Sequence, residues 1–74
     1  MTSHRNALLA KLSEILESEI QPTTALDANG LWDSLAVVLT VAAIDDVCQR
    51  EVDGVALSKC ETVEEVLALA GLGA

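Results

Sequence analysis

Residues 32–49 read WDSLAVVLTVAAIDDVCQ, and this run of mostly apolar residues decides the fold. It contains no proline or glycine, and Asp33 is one of the residue types that cap helix N-termini. Trp32 and Val37 occupy the N′ and N4 positions of a hydrophobic staple. The pattern therefore predicts a helix that begins at Ser34 and ends at about Gln49 or Arg50.

The two sides of this predicted helix differ. At 100° per residue, one side is apolar along its whole length and is expected to face the core. Its members are Val37, Thr40, Val41, Ile44, Val47 and Cys48. The other side is apolar near Ser34 and polar further on, and it consists of Leu35, Val38, Leu39, Ala42, Asp45, Asp46 and Gln49. We call Leu35, Val38, Leu39 and Ala42 the apolar strip and expect it to be an exposed binding surface, the alternatives being burial on nearly all sides or a homodimer contact.

A first helix is predicted ahead of this one. Its apolar residues recur at spacings of three and four: Leu8, Leu12, Ile15, Leu16 and Ile20. Ser3 can cap its start, and Pro22 forbids its continuation beyond about Ile20. A loop over residues 21–32 follows. The two leucines of this loop that are expected to pack against the helices are Leu26 and Leu31.

Two further helices are predicted in the C-terminal third. Residues Ala56 to Cys60 are expected to form one short helical turn. Thr62 and Glu65 have the spacing of a capping box, and Gly71 supplies a C-terminal stop. The apolar side of this last helix comprises Val63, Val66, Leu67 and Ala70. We expect an all-α fold with a single domain over residues 1–74, a small four-helix bundle with three main helices and one short helix.

The charge balance limits the kinds of partner. The 74 residues include 12 Asp and Glu against 4 Lys and Arg, and the net charge is −8. Such a chain repels nucleic acid and anionic membranes, so neither is expected as a partner, whereas a basic protein surface is complementary to it. The small size of the domain also limits its core, so a large catalytic cleft is not expected. We predict a non-catalytic protein.

The cysteine and histidine content leaves little room for a metal site or a hydrolase. Cys48 and Cys60 fit no zinc-ligand spacing, and His4 is the only histidine, so we expect no bound metal and no histidine base for Ser34. Two free thiols in a reducing compartment are a simpler interpretation than one disulfide. We expect Cys48 to be a small core residue and Cys60 to be partly exposed. No apolar stretch is long enough to span a membrane. These features predict a soluble, cytoplasmic monomer.

The segment Gly30-Leu31-Trp32-Asp33-Ser34-Leu35 is the candidate functional site. It is a loop that enters a helix and places a serine hydroxyl at the first helical position. Free backbone N–H groups and the positive end of the helix dipole would lie beside a phosphate ester attached there. Taken alone, Asp33 and Ser34 are also typical of ordinary capping.

The layout around this segment resembles the acyl carrier and peptidyl carrier protein family. Asp33-Ser34-Leu35 opens the second helix of an acidic, helical chain, and the last helix is entered through Thr62-Val63-Glu64-Glu65-Val66-Leu67, similar to the entry of the family's final helix. The resemblance covers essentially the whole chain.

This resemblance implies a 4′-phosphopantetheine arm on the Ser34 oxygen, transferred from coenzyme A by a phosphopantetheinyl transferase. The arm would carry an acyl or aminoacyl group as a thioester to loading and transfer enzymes that act in trans, as in fatty-acid or polyketide biosynthesis. Asp33 would cap the helix and help the transferase to recognise the site. The expected partner-binding residues are Leu35, Val38, Leu39, Ala42, Asp45 and Asp46.

Two features depart from the fatty-acid carriers of that family. Those carriers follow Asp-Ser-Leu with acidic residues, whereas here the acids are delayed until Asp45 and Asp46, so docking near the arm is expected to depend more on apolar contact. Two residues separate Gly30 from Asp33, which resembles aminoacyl and D-alanyl carriers. Acyl cargo is our first expectation and aminoacyl or peptidyl cargo the alternative. An unmodified helical interaction module is the alternative of another class.

Overall fold

The structure is a computed structural model that describes residues 3–26 and 32–72. These residues form four helices: α1 (His4–Leu16), α2 (Ser34–Cys48), α3 (Gly54–Ser58) and α4 (Val63–Leu69). Within those two ranges there is no strand, only an isolated antiparallel bridge between Ala25 and Thr62. The predicted helical class and the number of helices are confirmed. The predictions for Gly30 and Leu31 lie outside the described residues.

Helix α1 begins as predicted but ends earlier. The Ser3 hydroxyl oxygen accepts a hydrogen bond from the Asn6 N–H at 3.1 Å. At the other end Glu17 is left-handed, with φ of 52°, and the Ser18 N–H donates to the Ser13 carbonyl at 3.1 Å. The Glu17 N–H also donates to the Glu14 carbonyl at 3.3 Å, so two carbonyls of the last turn have partners. The helix respects the predicted limit at about Ile20, but the placement of Ile20 on the helix is wrong, because a local C-cap ends α1 at Leu16.

Helix α2 begins at Ser34 and ends at Cys48, where left-handed Gln49 caps it. Its predicted span is therefore correct to within one or two residues. The buried side is centred on Thr40 and comprises Ala36, Val37, Thr40, Ala43 and Ile44. The predicted core residues Val41, Val47 and Cys48 are only half-buried. Compared with the prediction, the buried side is rotated about the helix axis towards Ala36 and Ala43. Their small side chains suit close packing but contribute little to a hydrophobic pattern in the sequence.

The two C-terminal helices are set by their caps. An Asp53 carboxylate oxygen accepts from the Val55 N–H at 3.1 Å, so α3 begins at Gly54 and ends at Ser58, two residues earlier at each end than predicted. Helix α4 has the predicted capping box, in which Thr62 and Glu65 bond each other's backbone N–H. The predicted stop is observed as well, since Gly71 has φ of 80°.

The loop after α1 is attached to the start of α4. The Leu26 N–H donates to the Glu61 carbonyl at 2.8 Å, and the Val63 N–H donates to the Thr24 carbonyl at 3.0 Å. Leu26 is buried, as predicted. Because the first N–H groups of a helix lack partners within it, the loop carbonyls stabilise α4 while α4 fixes the path of the loop. Residues 22–26 are therefore held against the start of α4.

One core joins all four helices. The completely buried residues are Leu8, Leu12, Thr40, Ile44, Leu57, Val63, Val66 and Leu67. Helix α2 contacts both α1 and α3. Trp32, just before α2, donates its indole N–H to the Leu57 carbonyl of α3 at 3.0 Å. The start of α2 is consequently held against α3.

Candidate functional site

Ser34 is the exposed first residue of α2. Asp33 precedes it in extended conformation, and one Asp33 carboxylate oxygen accepts from the Ala36 N–H at 2.9 Å. The Asp33 backbone carbonyl accepts from the Val37 N–H at 3.0 Å. The predicted N-cap is therefore confirmed, and it places the Ser34 hydroxyl at the positive end of the helix dipole.

An open groove of about 700 Å³ lies beside Ser34, between α2 and α3. Its lining residues are Trp32, Asp33, Ser34, Val37, Val38, Asp53, Gly54, Val55 and Ser58. Three valines make much of this lining apolar, whereas two aspartates and two serines are polar. Two of these polar residues are engaged in α3, since Asp53 caps it and the Ser58 hydroxyl donates to the Val55 carbonyl at 2.6 Å. The groove therefore combines apolar contact with a few polar groups that are held in place.

The apolar strip is exposed. Leu35 is 66% exposed, Val38 63% and Leu39 43%, and Ala42 is exposed as well. These values exclude the alternative in which α2 is buried on nearly all sides. Exposed aliphatic side chains that adjoin one another on one helix are typical of contact surfaces. The strip begins at Leu35, next to the Ser34 hydroxyl.

Val55 extends this surface across the groove, although no sequence pattern indicated its exposure. It lies on α3 and is 60% exposed. A helix of five residues is too short for periodicity to separate its buried side from its exposed side. Its neighbour Asp53, a capping residue followed by glycine, was the only local signal that a helix starts there.

The two aspartates at the C-terminal end of the strip differ in their surroundings. Both Asp45 and Asp46 are exposed, as predicted. Lys11 of α1 places its Nζ atom 3.5 Å from Asp46 Oδ2. Within residues 3–26 and 32–72, no Lys or Arg nitrogen lies within 4.0 Å of the Asp45 carboxylate. Of these two aspartates, Asp46 is therefore paired with a lysine, whereas Asp45 has no Lys or Arg partner among the described residues.

Thr40 and the two cysteines have structural surroundings. The Thr40 hydroxyl is completely buried and donates to the Ala36 carbonyl at 2.7 Å. Both cysteines are free thiols. Burial raises the pKa of Cys48 and of Cys60, and the Glu65 carboxylate raises that of Cys60 further. Cys60 was expected to be partly exposed and is buried, because the chain turns inward after α3 and its Sγ lies 3.6 Å from the Ala56 carbonyl oxygen.

Comparison of the chain with models of protein families, with curated proteins and with solved structures finds no match. None of the helices in the described part of the chain has both the length and the apolar character needed to cross a membrane. The function is therefore inferred from the residues around Ser34 and from their geometry.

Proposed function

We propose that this protein is a cytoplasmic carrier protein that bears 4′-phosphopantetheine on Ser34 and presents thioester-bound acyl groups to partner enzymes. The observation that carries the proposal is the position of Ser34. Its hydroxyl is exposed at the capped start of α2, with the groove on one side and the apolar strip beginning at the next residue. The resemblance of Asp33-Ser34-Leu35 and of the helix order to carrier proteins points to the same modification.

The residues around Ser34 fit this group. A phosphate on the Ser34 oxygen would lie outside the first turn of α2, where the helix dipole favours negative charge. The groove, at about 700 Å³, falls in the size range of sites for small organic groups. Its valines Val37, Val38 and Val55 offer apolar contact to the methyl groups of a pantetheine arm. When bound, the arm supplies a thiol that forms the thioester.

This chain's residues have a passive part in the attachment. The Ser34 oxygen would form the bond to phosphorus, while the bond from that phosphorus to the rest of coenzyme A breaks and adenosine 3′,5′-bisphosphate leaves. The lining of the groove contains no histidine, and its Asp33 carboxylate is committed to the Ala36 N–H. Removal of the serine proton is therefore assigned to the transferase, and the carrier itself is non-catalytic.

A mass measurement tests the proposal. The purified protein is incubated with coenzyme A and a broad-specificity phosphopantetheinyl transferase, and its intact mass is recorded. The wild type should gain one phosphopantetheinyl group, and Ser34→Ala should gain none. Ser58→Ala is the matched control, since Ser58 lines the same groove and should leave the gain unchanged. A wild type that stays unmodified would exclude the carrier function, and modification of Ser34→Ala would exclude the site.

The cargo is proposed to be an acyl group, with an aminoacyl or D-alanyl group as the alternative. The aliphatic strip beside Ser34 suits enzymes that dock through apolar contact, and it is the reason for preferring an acyl group. The two residues between Gly30 and Asp33 resemble the spacing in aminoacyl carriers, and they are the reason for the alternative. Mass spectrometry of the arm on protein isolated from its native cells distinguishes the two by the mass and fragmentation of the bound group.

The exposure of the strip also favours a second candidate, an unmodified helical interaction module. Leu35 and Val38 are each more than 60% exposed, enough to bind a partner without any arm. The two functions are separated by Ser34→Ala. A carrier loses all transfer activity with this substitution, whereas an interaction module keeps its partner affinity.

A further inference from the structure

Trp32 connects the candidate site with α3. It is half-buried and packs against the core, and its indole N–H donates to the Leu57 carbonyl of α3 at 3.0 Å. It is also the only tryptophan, tyrosine or phenylalanine of the chain, and it lines the groove beside Ser34. The next residue, Asp33, caps α2. The indole ring is therefore held at the start of the helix that carries Ser34.

Helix α3 depends on contacts with the rest of the molecule for its position. It has only five residues, from Gly54 to Ser58, and a helix of this length has little stability of its own. It begins against α2, since a methyl group on Gly54 would lie 3.9 Å from Val37 Cγ1. Its Leu57 side chain is completely buried. Apolar contacts of this kind are not directional, so they hold α3 near the core without fixing its rotation.

The rotation of α3 decides where Val55 points. Residues two apart on an α-helix point about 200° away from each other, so Val55 faces outward when Leu57 faces the core. Val55 is 60% exposed and lines the groove together with Val38 of the apolar strip. A hydrogen bond requires alignment as well as distance. The bond from Trp32 to Leu57 therefore fixes the rotation in which Val55 completes the exposed surface.

We propose that Trp32 is a positioning residue for the transfer to Ser34, because its hydrogen bond holds α3 where Val55 and the apolar strip form one docking surface. Without this bond α3 would take up several orientations, and only the molecules in the docking orientation would bind the transferase. The docked complex would still react at its ordinary rate, since Ser34 and the Asp33 cap are unchanged. The inference rests on the proposed function, which supplies the reaction to be measured.

The sharpest variant removes the indole N–H alone. Benzothienylalanine has the shape of tryptophan with sulfur in place of the N–H group, and 74 residues are within reach of chemical synthesis. Trp32→Phe is the genetic counterpart, which also loses part of the ring system. Ser3→Ala is the matched control for stability, because it removes the cap of α1 and Ser3 does not line the groove.

Amide exchange measures how firmly α3 is held, without any partner. Hydrogen–deuterium exchange followed by NMR reports on the N–H groups of Leu57 and Cys60, which donate to the Asp53 and Leu57 carbonyls, each at 3.0 Å. In the benzothienyl protein both groups should exchange about threefold faster or more, because the outer contact of α3 is lost. The N–H groups of Ala36 and Val37, in the first turn of α2, should change less. Ser3→Ala should not produce this difference between α3 and α2.

Steady-state kinetics measure the effect on docking. With coenzyme A and the transferase of the mass measurement, the benzothienyl protein should have a KM for the carrier about three- to tenfold above that of wild type. Its kcat should stay within about twofold, as expected when only binding is lost. Ser3→Ala should match wild type in both constants, because folded molecules of this variant keep α3 in place.

The outcomes separate the inference from the proposed function. Unchanged exchange at Leu57 and Cys60, an unchanged KM, or a loss in kcat instead of a rise in KM overturns the role of Trp32 while the wild type still gains its arm. A wild type that stays unmodified overturns the proposed function, and the role of Trp32 in transfer falls with it.

Discussion

Among single residues, Asp33 connects the stability of α2 with the placement of Ser34. Its carboxylate accepts the Ala36 N–H and its carbonyl accepts the Val37 N–H, so the first turn of the helix depends on it. The same residue is negatively charged and lies in the groove beside the proposed attachment site. Its capping role and its charge can be separated by two substitutions.

We predict different effects for Asp33→Ala and Asp33→Asn. Asp33→Ala removes the cap and should destabilise the fold by about 1 kcal/mol, which in a domain of this size lowers the melting temperature by roughly 4–8 °C. Asn caps as well as Asp, so Asp33→Asn should leave stability nearly unchanged while removing the charge. Thermal unfolding followed by circular dichroism measures the first effect, and the rate of phosphopantetheinyl transfer measures the second. Equal losses of stability in both variants would contradict the capping role.

Residue-level predictions were most accurate where the interaction is local. Asp33, Ser3 and Thr62 were each identified as caps from residues within four positions, and all three caps are observed. Cys60 was wrongly expected to be partly exposed, and the exposure of Val55 was not predicted, because both depend on how the chain packs around the short helix α3.

Among the helices, α2 has the largest part in the proposed function, since it carries Ser34 at one end and exposes aliphatic residues along one side. A side chain that is already in water contributes little to folding, so the strip can be altered without unfolding the helix. The strip therefore permits a direct test of docking by apolar contact.

We predict that Val38→Glu or Leu39→Glu weakens docking of the transferase more than Asp45→Asn or Asp46→Asn does. Each glutamate puts a charge into the contact surface, where it must be desolvated, and we expect kcat/KM to fall about tenfold or more. Loss of a single exposed carboxylate should cost about two- to fivefold. The measurement is kcat/KM of phosphopantetheinyl transfer to each variant, with circular dichroism as the folding control. The reverse ranking would show that charge dominates docking.

The ends of the helices show where element-level prediction is limited. Helix α1 ends before Pro22, as the proline requires, but it already stops at Leu16. It stops there because Glu17 is left-handed and the Ser13 hydroxyl donates to the Ser18 carbonyl at 2.7 Å. Glu and Ser are not typical of a C-cap in the way that glycine is. The early stop leaves the residues after α1 free to reach the start of α4.

For the molecule as a whole, burial of the two cysteine thiols makes the stability of the fold depend on pH. Burial raises the pKa of Cys60, Glu65 raises it further, and burial also raises the pKa of Cys48, against a smaller opposing effect of Arg50. The folded chain thus keeps its thiol protons to a higher pH than the unfolded chain. Their contribution to stability is complete below the ordinary thiol pKa of about 8.5 and is lost as pH rises through the folded pKa.

We therefore predict that the free energy of unfolding falls as the pH rises above the ordinary thiol pKa of about 8.5, and that it falls less steeply in Cys60→Ala. The chain has no tyrosine, so no phenol titrates near this range. Urea unfolding under reducing conditions at several pH values measures the slope for each protein. Cys48→Ala is the companion variant and should have the smaller effect, since Cys48 is the less buried thiol. Identical slopes in wild type and Cys60→Ala would refute the prediction.

The sequence by itself determined the helical class, the starts of α1, α2 and α4, and the position of Ser34 at a capped helix start. Those features depend on hydrophobic period and on capping, both of which act within a few residues. Only the tertiary structure decided which side of α2 is buried, that Val55 joins the exposed surface, and that Lys11 neutralises Asp46 but not Asp45. These features depend on residues far apart in the chain that packing brings together, and no local pattern records that packing.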